Sequence, residues 1–180
     1  MGYRLVLIAL FALAAAACGK EIGDECILSS DCSPNGDRVC LCSSCAGSVL
    51  TDSEQGYCTV IGCDYSTCPE EAACVRFFTG DFDNRVCDPD VAQADCKADP
   101  KGPLVCCSLD ELCAINGHCV PRASEVRYCM KSCGSNGDCR DGYECRDFEM
   151  MKDHGGQPLL SPGTPVDASH APKFCAAAPR

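Results

Sequence analysis

Tryptophan is absent from this 180-residue sequence, and large apolar side chains of every kind are scarce. Beyond position 17 the chain carries only 34 Val, Ile, Leu, Met, Phe and Tyr residues. That is too few for a large apolar-core enzyme, and it borders on the composition of disordered chains. Positive charge is short as well, since 15 Lys and Arg stand against 26 Asp and Glu for a formal charge of −11. No basic patch is present to neutralise a phosphate backbone, so nucleic acid is excluded as a partner. The acids are dispersed, and the net charge speaks to solubility rather than to a particular ligand. After the N-terminus no apolar run approaches the ~20 residues of a membrane-spanning helix, which excludes a multi-pass membrane protein. A phosphate loop, a His-Glu-x-x-His pattern and a nucleophile motif are also missing. The expectation is a chain that is not an enzyme and carries no cofactor.

Cysteine is present in excess. The chain has 21 of them, a share at which composition alone indicates a disulfide scaffold. Residues 1–17 read as a secretory signal, with Arg4 as the positive n-region, an apolar h-region from Leu5 to Leu13, and small residues from Ala14 to Ala17. As a helix this apolar stretch spans about 14–20 Å, short of a ~30 Å hydrocarbon core. Ala15-Ala16-Ala17-Cys18 resembles a bacterial lipobox, with Ala15 where a bulky aliphatic residue is usual. It implies acylation of Cys18, with membrane attachment through an N-terminal lipid. Gly19 follows, not an aspartate, which resembles sorting to the outer membrane.

Setting Cys18 aside leaves an even number of cysteines, all assigned to disulfides with pairing unspecified. A first block holds Cys26, Cys32, Cys40, Cys42, Cys45, Cys58, Cys63, Cys68, Cys74 and Cys87. A second holds Cys96, Cys106, Cys107, Cys113, Cys119, Cys129, Cys133, Cys139, Cys145 and Cys175. Tyr57-Cys58, Cys63, Cys68 and Cys74 recur as Tyr128-Cys129, Cys133, Cys139 and Cys145 at an offset of 70 or 71 residues. The expected organisation is therefore a lipidated N-terminus and short tether at 18–25, a cysteine-rich unit at 26–87, a linker at 88–95, a second unit at 96–175 and a tail at 176–180. Each unit falls in the size range where small domains need staples. A disulfide closing a 15-residue loop restricts the unfolded chain by about 3 kcal/mol, which offsets the shortage of apolar burial.

The expected fold is a small disulfide-rich protein of short β-hairpins and irregular loops with little helix. Turn signals such as Pro34-Asn35-Gly36-Asp37, Asn116-Gly117 and Ser135-Asn136-Gly137-Asp138 favour hairpins. Strands are expected at 73–78 and 104–107. A brief helix is expected at 108–113, with Ser108 as N-cap and Glu111 three residues on. The cysteine-free stretch 146–174 reads as a flexible loop pinned by Cys175. Adjacent Cys106 and Cys107 pair elsewhere rather than with each other, because a bond between neighbours is strained. Cys40 and Cys42 do the same.

Three groups of residues are weighed as chemical sites. Cys40-Leu41-Cys42-Ser43-Ser44-Cys45 has the density of a metal or redox centre, but in an oxidising compartment such thiols become disulfides. His118, His154 and His170 are far apart in sequence and read as solvent-exposed. Asp81-Phe82-Asp83-Asn84 with Asp88 and Asp90 alternates oxygens as a calcium loop does, yet lacks its turn glycine and closing glutamate.

Cys129-Met130-Lys131-Ser132-Cys133 and Asp138-Cys139-Arg140-Asp141-Gly142-Tyr143-Glu144-Cys145 resemble the cysteine-rich secreted lipoproteins of myxobacteria and related deltaproteobacteria. Gly23-Asp24-Glu25-Cys26 with Ser29-Ser30-Asp31-Cys32 is similar in style. The resemblance implies an address in the cell envelope rather than a mechanism. Trypsin-inhibitor-like domains share the count of ten cysteines but not the spacing. The sequence thus points to a lipid-anchored envelope protein that binds an unidentified protein or polysaccharide partner or serves structurally. A metal- or redox-active protein centred on Cys40–Cys45, and a protease-inhibitor-like module, are the alternatives.

Overall fold

The computed structural model describes residues 19–41, 56–80, 85–89, 106–164 and 167–179. The signal segment, Cys18, Cys42, Cys45, Cys96, most of the acidic run at 81–90, and Leu104 and Val105 of the expected 104–107 strand lie outside these residues. The described chain is a small disulfide-rich protein of short antiparallel strands with two short α-helices. Strands β1 (Glu25–Cys26), β3 (Gly56–Thr59) and β2 (Val39–Leu41) form one sheet in that order, beside helix α1 (Ser29–Cys32). A second sheet has the order β7 (Glu125–Lys131), β4 (Ala72–Phe78), β9 (Gln157–Pro158). Two further antiparallel pairs are β5 (Glu111–Cys113) with β6 (Cys119–Pro121), and β8 (Tyr143–Arg146) with β10 (Phe174–Ala177).

One cysteine arrangement occurs four times. In chain order, the first cysteine of a set bonds the third and the second bonds the fourth. The third and fourth stand directly opposite each other on neighbouring strands without bonding to one another. Cys26–Cys40 and Cys32–Cys58 make the first set, with Cys40 opposite Cys58. Cys63–Cys74 and Cys68–Cys129 make the second, with Cys74 opposite Cys129. Cys87–Cys113 and Cys107–Cys119 follow, with Cys113 opposite Cys119. Cys133–Cys145 and Cys139–Cys175 complete the series, with Cys145 opposite Cys175. Opposed residues of an antiparallel ladder project to the same face, so both sulfurs reach back to the preceding part of the chain and staple it across the strands. Gly56, opposite Cys26 on β3, lies against the first set, and a β-carbon there would collide with the Cys40 sulfur.

The residue just before the second cysteine shapes the turn that follows the first. Asp31 accepts from the backbone N–H groups of Ile27 and Leu28, both at 2.9 Å. Asp138 does the same for Gly134 and Ser135 at 2.9 and 2.8 Å. Thr67 plays a similar part, its hydroxyl accepting from the Asp64 N–H at 2.8 Å. These backbone donors hold the Asp31 and Asp138 carboxyls below the usual carboxylate value.

The expected division into two ten-cysteine units is not a covalent boundary. Cys68–Cys129 and Cys87–Cys113 both cross 88–95. The third set is inserted between the third and fourth cysteines of the second, so β4 must wait for β7, past the insertion, to find its partner. The two strands then pair over their full seven residues, from Ala72 opposite Lys131 to Phe78 opposite Glu125. The main core follows this pairing, with three smaller buried clusters beside it. Ile22, Tyr57, Val75, Met130, Met151 and Phe174 from both halves of the chain are buried in one cluster. Tyr57 stacks on Tyr143 with ring centroids 5.4 Å apart, and Arg140 lies over the Tyr143 ring while donating to the Gly56 carbonyl at 2.7 Å.

Other expectations are corrected locally. Residues 108–113 are not a helix. Ser108 N–H does donate to the Glu111 carboxylate at 2.8 Å, but the contact closes a turn that launches β5, because Cys113 must face Cys119. Cys106 and Cys107 lie in irregular chain, and Cys107 pairs with Cys119. The stretch 146–174 is not simply a loop. It contains helix α2 (Phe148–His154), capped by Asp147, whose carboxylate accepts from the Met150 N–H at 3.1 Å. Met151 on that helix is fully buried, and β9 adds to the edge of β4.

Two tests follow from this connectivity. Proteolysis within 88–95 under non-reducing conditions is expected to leave one covalent species that separates only on reduction; release of two fragments without reductant would refute the crossing bonds. Asp138→Ala is expected to lower the thermal midpoint at neutral pH. The folded carboxyl titrates below its ordinary value of 3.8, so its stabilisation exists above that value and fades as pH falls through the folded one. The gap between wild type and variant therefore narrows as pH falls below 3.8, and a pH-independent gap would contradict the assignment.

Candidate functional site

The sulfur clusters come first, since three cysteine sulfurs within 4.8 Å of one another have the spacing of a metal site. Such triplets are Cys26, Cys32 and Cys40; Cys63, Cys68 and Cys129; Cys87, Cys107 and Cys113; and Cys133, Cys139 and Cys145. Each is three of the four sulfurs of one crossed set. A metal requires thiolates, and every described cysteine is disulfide-bonded, including Cys106. The triplets could ligate a metal only after two bonds were reduced. Cys40, the one described member of the Cys40–Cys45 cluster bearing a thiol position, is bonded to Cys26.

A second constellation was not legible as a site. β8 carries Glu144 and Arg146 with both side chains buried. Arg146 Nε donates to Glu144 Oε1 at 2.8 Å, and its other nitrogens donate to the carbonyls of His154, Gly155 and Ala177 at 2.6–3.0 Å. Nδ1 of His154 lies 2.6 Å from the same Glu144 oxygen. One guanidinium thus ties the end of α2 and the C-terminal strand to β8. Burial pushes the Arg146 pKa down, opposed by the Glu144 carboxylate.

This network forms one wall of a cleft of about 720 Å³. Its floor is apolar, with Phe77, Ile115, Val126, Tyr128, Met130 and Met151 among the lining side chains. Phe77 meets Phe174 edge-on at 6.2 Å. The turn of the β5–β6 hairpin contributes His118, and the chain after α2 contributes Gly156 and Gln157. Gly156 adopts φ +87°, and a β-carbon there would come within 2.6 Å of the Phe174 ring, so the position requires glycine. The reading of all three histidines as exposed is corrected for His118, whose Nδ1 is buried without a hydrogen-bond partner. His154, paired with Glu144, and His170, paired with Asp167, are exposed.

The fold and its bonds define a disulfide-rich protein matured in an oxidising, extracytoplasmic compartment. No helix of the described residues is long and apolar enough to cross a membrane. The chain matches no family model, no curated protein and no solved structure.

Arg146→Met should destabilise the protein by about 3–5 kcal/mol, because Glu144 and three carbonyls lose their shared donor in a buried setting. Denaturant unfolding of the oxidised protein measures this. A loss below about 1 kcal/mol would place the network at the solvated surface instead.

Proposed function

We propose that this chain is a non-enzymatic cell-envelope protein, anchored by a lipid on Cys18, whose cross-stapled body serves as a binding or structural module. The observation that carries the reading is the bonding of every described cysteine, joined to the lipobox-like Ala15-Ala16-Ala17-Cys18. Cys18 then supplies the one thiol left over from an even set. The resemblance to myxobacterial lipoproteins and the glycine after Cys18 favour the outer membrane.

The region after Cys18 supports a short leash. Ile22 is fully buried, and the Gly23 N–H donates to the Cys58 carbonyl at 2.9 Å. Four residues span at most ~14 Å, so a lipid on Cys18 holds the module against the membrane surface. A diacyl anchor exceeds the marginal hold of a single chain.

The metal- or redox-active reading is favoured only by the sulfur triplets, and it requires free thiols. Cys18→Ser is expected to abolish acyl labelling and release the protein into the soluble fraction. Persistent membrane association of this variant, with no label on the wild type, would argue for an uncleaved helix. Thiol titration of the oxidised protein is expected to find no reactive thiol in the module. Several free thiols, or stoichiometric metal after native purification, would move the assignment to the metal or redox class.

A further inference from the structure

We propose that Ile27 and Leu28, at the tip where β1 turns into α1, enter the membrane interface beside the acylated Cys18 and fix the orientation of the module on the lipid surface. The inference deepens the anchored-module reading and rests on it, adding a second point of contact with the bilayer. Ile27 is 77% exposed and Leu28 62%, the only adjacent pair of exposed large aliphatic side chains among the described residues. Single exposed apolar side chains are ordinary on a protein surface. A pair of them beside a lipid anchor has an apolar phase within reach.

The strap that leads back to Cys18 touches the chain on both sides of the tip. Ahead of the tip, Lys20 Nζ donates to the Glu25 carbonyl at 2.6 Å. Behind it, Gly19 packs on the end of α1, where a β-carbon would come within 2.8 Å of the Cys32 carbonyl oxygen. Arg38 donates to the Lys20 carbonyl and fastens the strap to the body. Consecutive Cα atoms are about 3.8 Å apart and a four-residue helix is about 6 Å long, so the acylated residue cannot lie farther than about 17 Å from Leu28. Anchor and tip therefore leave the module on the same side.

The local bonding suits the tip to losing water. Leaving water is most costly for backbone groups that have no other partner. The N–H groups of both Ile27 and Leu28 donate to the Asp31 carboxylate at 2.9 Å, and the Leu28 carbonyl accepts from the Asp31 N–H at 3.0 Å. The carboxylate thus turns its charge toward backbone donors, and Lys20 adds a further attraction. The formal charge of −11 gives the chain no general pull toward an anionic surface, so the contact is apolar rather than basic. Two side chains are too few to hold a protein on a bilayer unaided. The acyl chains bring the tip to the interface, and its insertion adds to a hold already made.

Because the chain has no tryptophan, a single introduced one reports its own surroundings. The mature acylated chain carrying Leu28→Trp is reconstituted on phosphatidylcholine vesicles, with and without bromine on the upper part of the acyl chains. A blue-shifted emission and about twofold quenching by the brominated lipid are expected, because an interfacial side chain lies roughly 5–10 Å into the boundary between headgroups and acyl chains. Ile27→Trp is expected to give the same result and stands in if the first variant fails to fold. Leu109→Trp, 96% exposed on the turn before β5, is expected to keep a water-like, unquenched emission. Water-like emission from both tip variants, on protein that floats with the vesicles, would overturn the proposal and leave the pair to solvent or to a protein partner. Equal quenching of Leu109→Trp would overturn it as well, since contact would not then be confined to the tip. Acyl labelling and flotation of the same samples decide the anchor separately. Their loss removes the anchor and the tip contact together, whereas labelled, floating protein with a solvated tip removes the tip contact alone.

Discussion

Across each of four strand pairs, two opposed cysteines bond to the preceding part of the chain and not to each other, and the rest of the structure depends on that crossing. Two strands of three or four residues are marginal in water, because the hydrogen bonds gained hardly exceed the cost of ordering the chain. The crossed pair fixes three segments at once: the preceding segment and both strands. It restricts the unfolded chain more strongly than it adds contacts to the folded one. A sequence with so few large apolar residues can therefore hold Tyr57, Met130, Met151 and Phe174 in one buried cluster. The core is held by the staples and fills the space between them.

The insertion of the third set into the second has a consequence for shape. The β5–β6 hairpin falls between β4 and β7 in the chain, and its turn meets the sheet across the cleft. The gap between hairpin, sheet and C-terminal strand is the cleft. Arg146 binds the end of α2 to the C-terminal strand, and Met151, one turn back on α2, seals the base. Site and scaffold share the same bonds.

How far the sequence could be read varied with the range of the interaction. Glycine and asparagine turns, the scarcity of helix and the strand at 73–78 are local properties, and they were legible. The contact between Ser108 and Glu111 was legible too, but a capping pair and a turn closure use the same donor and acceptor, and the opposed Cys113 and Cys119 decided for the strand. Helix α2 left its own marks, Asp147 at the start and Gly155 just past the end, within a stretch otherwise rich in turn residues. The pairing of Glu144 with His154 carried no such mark, since residues ten apart on a strand and a helix have no fixed spacing.

By itself the sequence determined that the chain is a disulfide scaffold of short hairpins, because composition and turn chemistry act over a few residues. It also placed cysteines 63, 68 and 74 and cysteines 133, 139 and 145 in matching series. The structure gives both series the same first-to-third bond, Cys63–Cys74 and Cys133–Cys145. Only the tertiary structure decided the fourth partner of each set, which follows the third after 18 residues in one case and 55 in another. Loop-closure entropy grows only with the logarithm of loop length, so proximity in sequence discriminates weakly between candidate partners. What selects Cys129 for Cys68 is the register of β4 against β7, and that register is set by which side chains can be buried together.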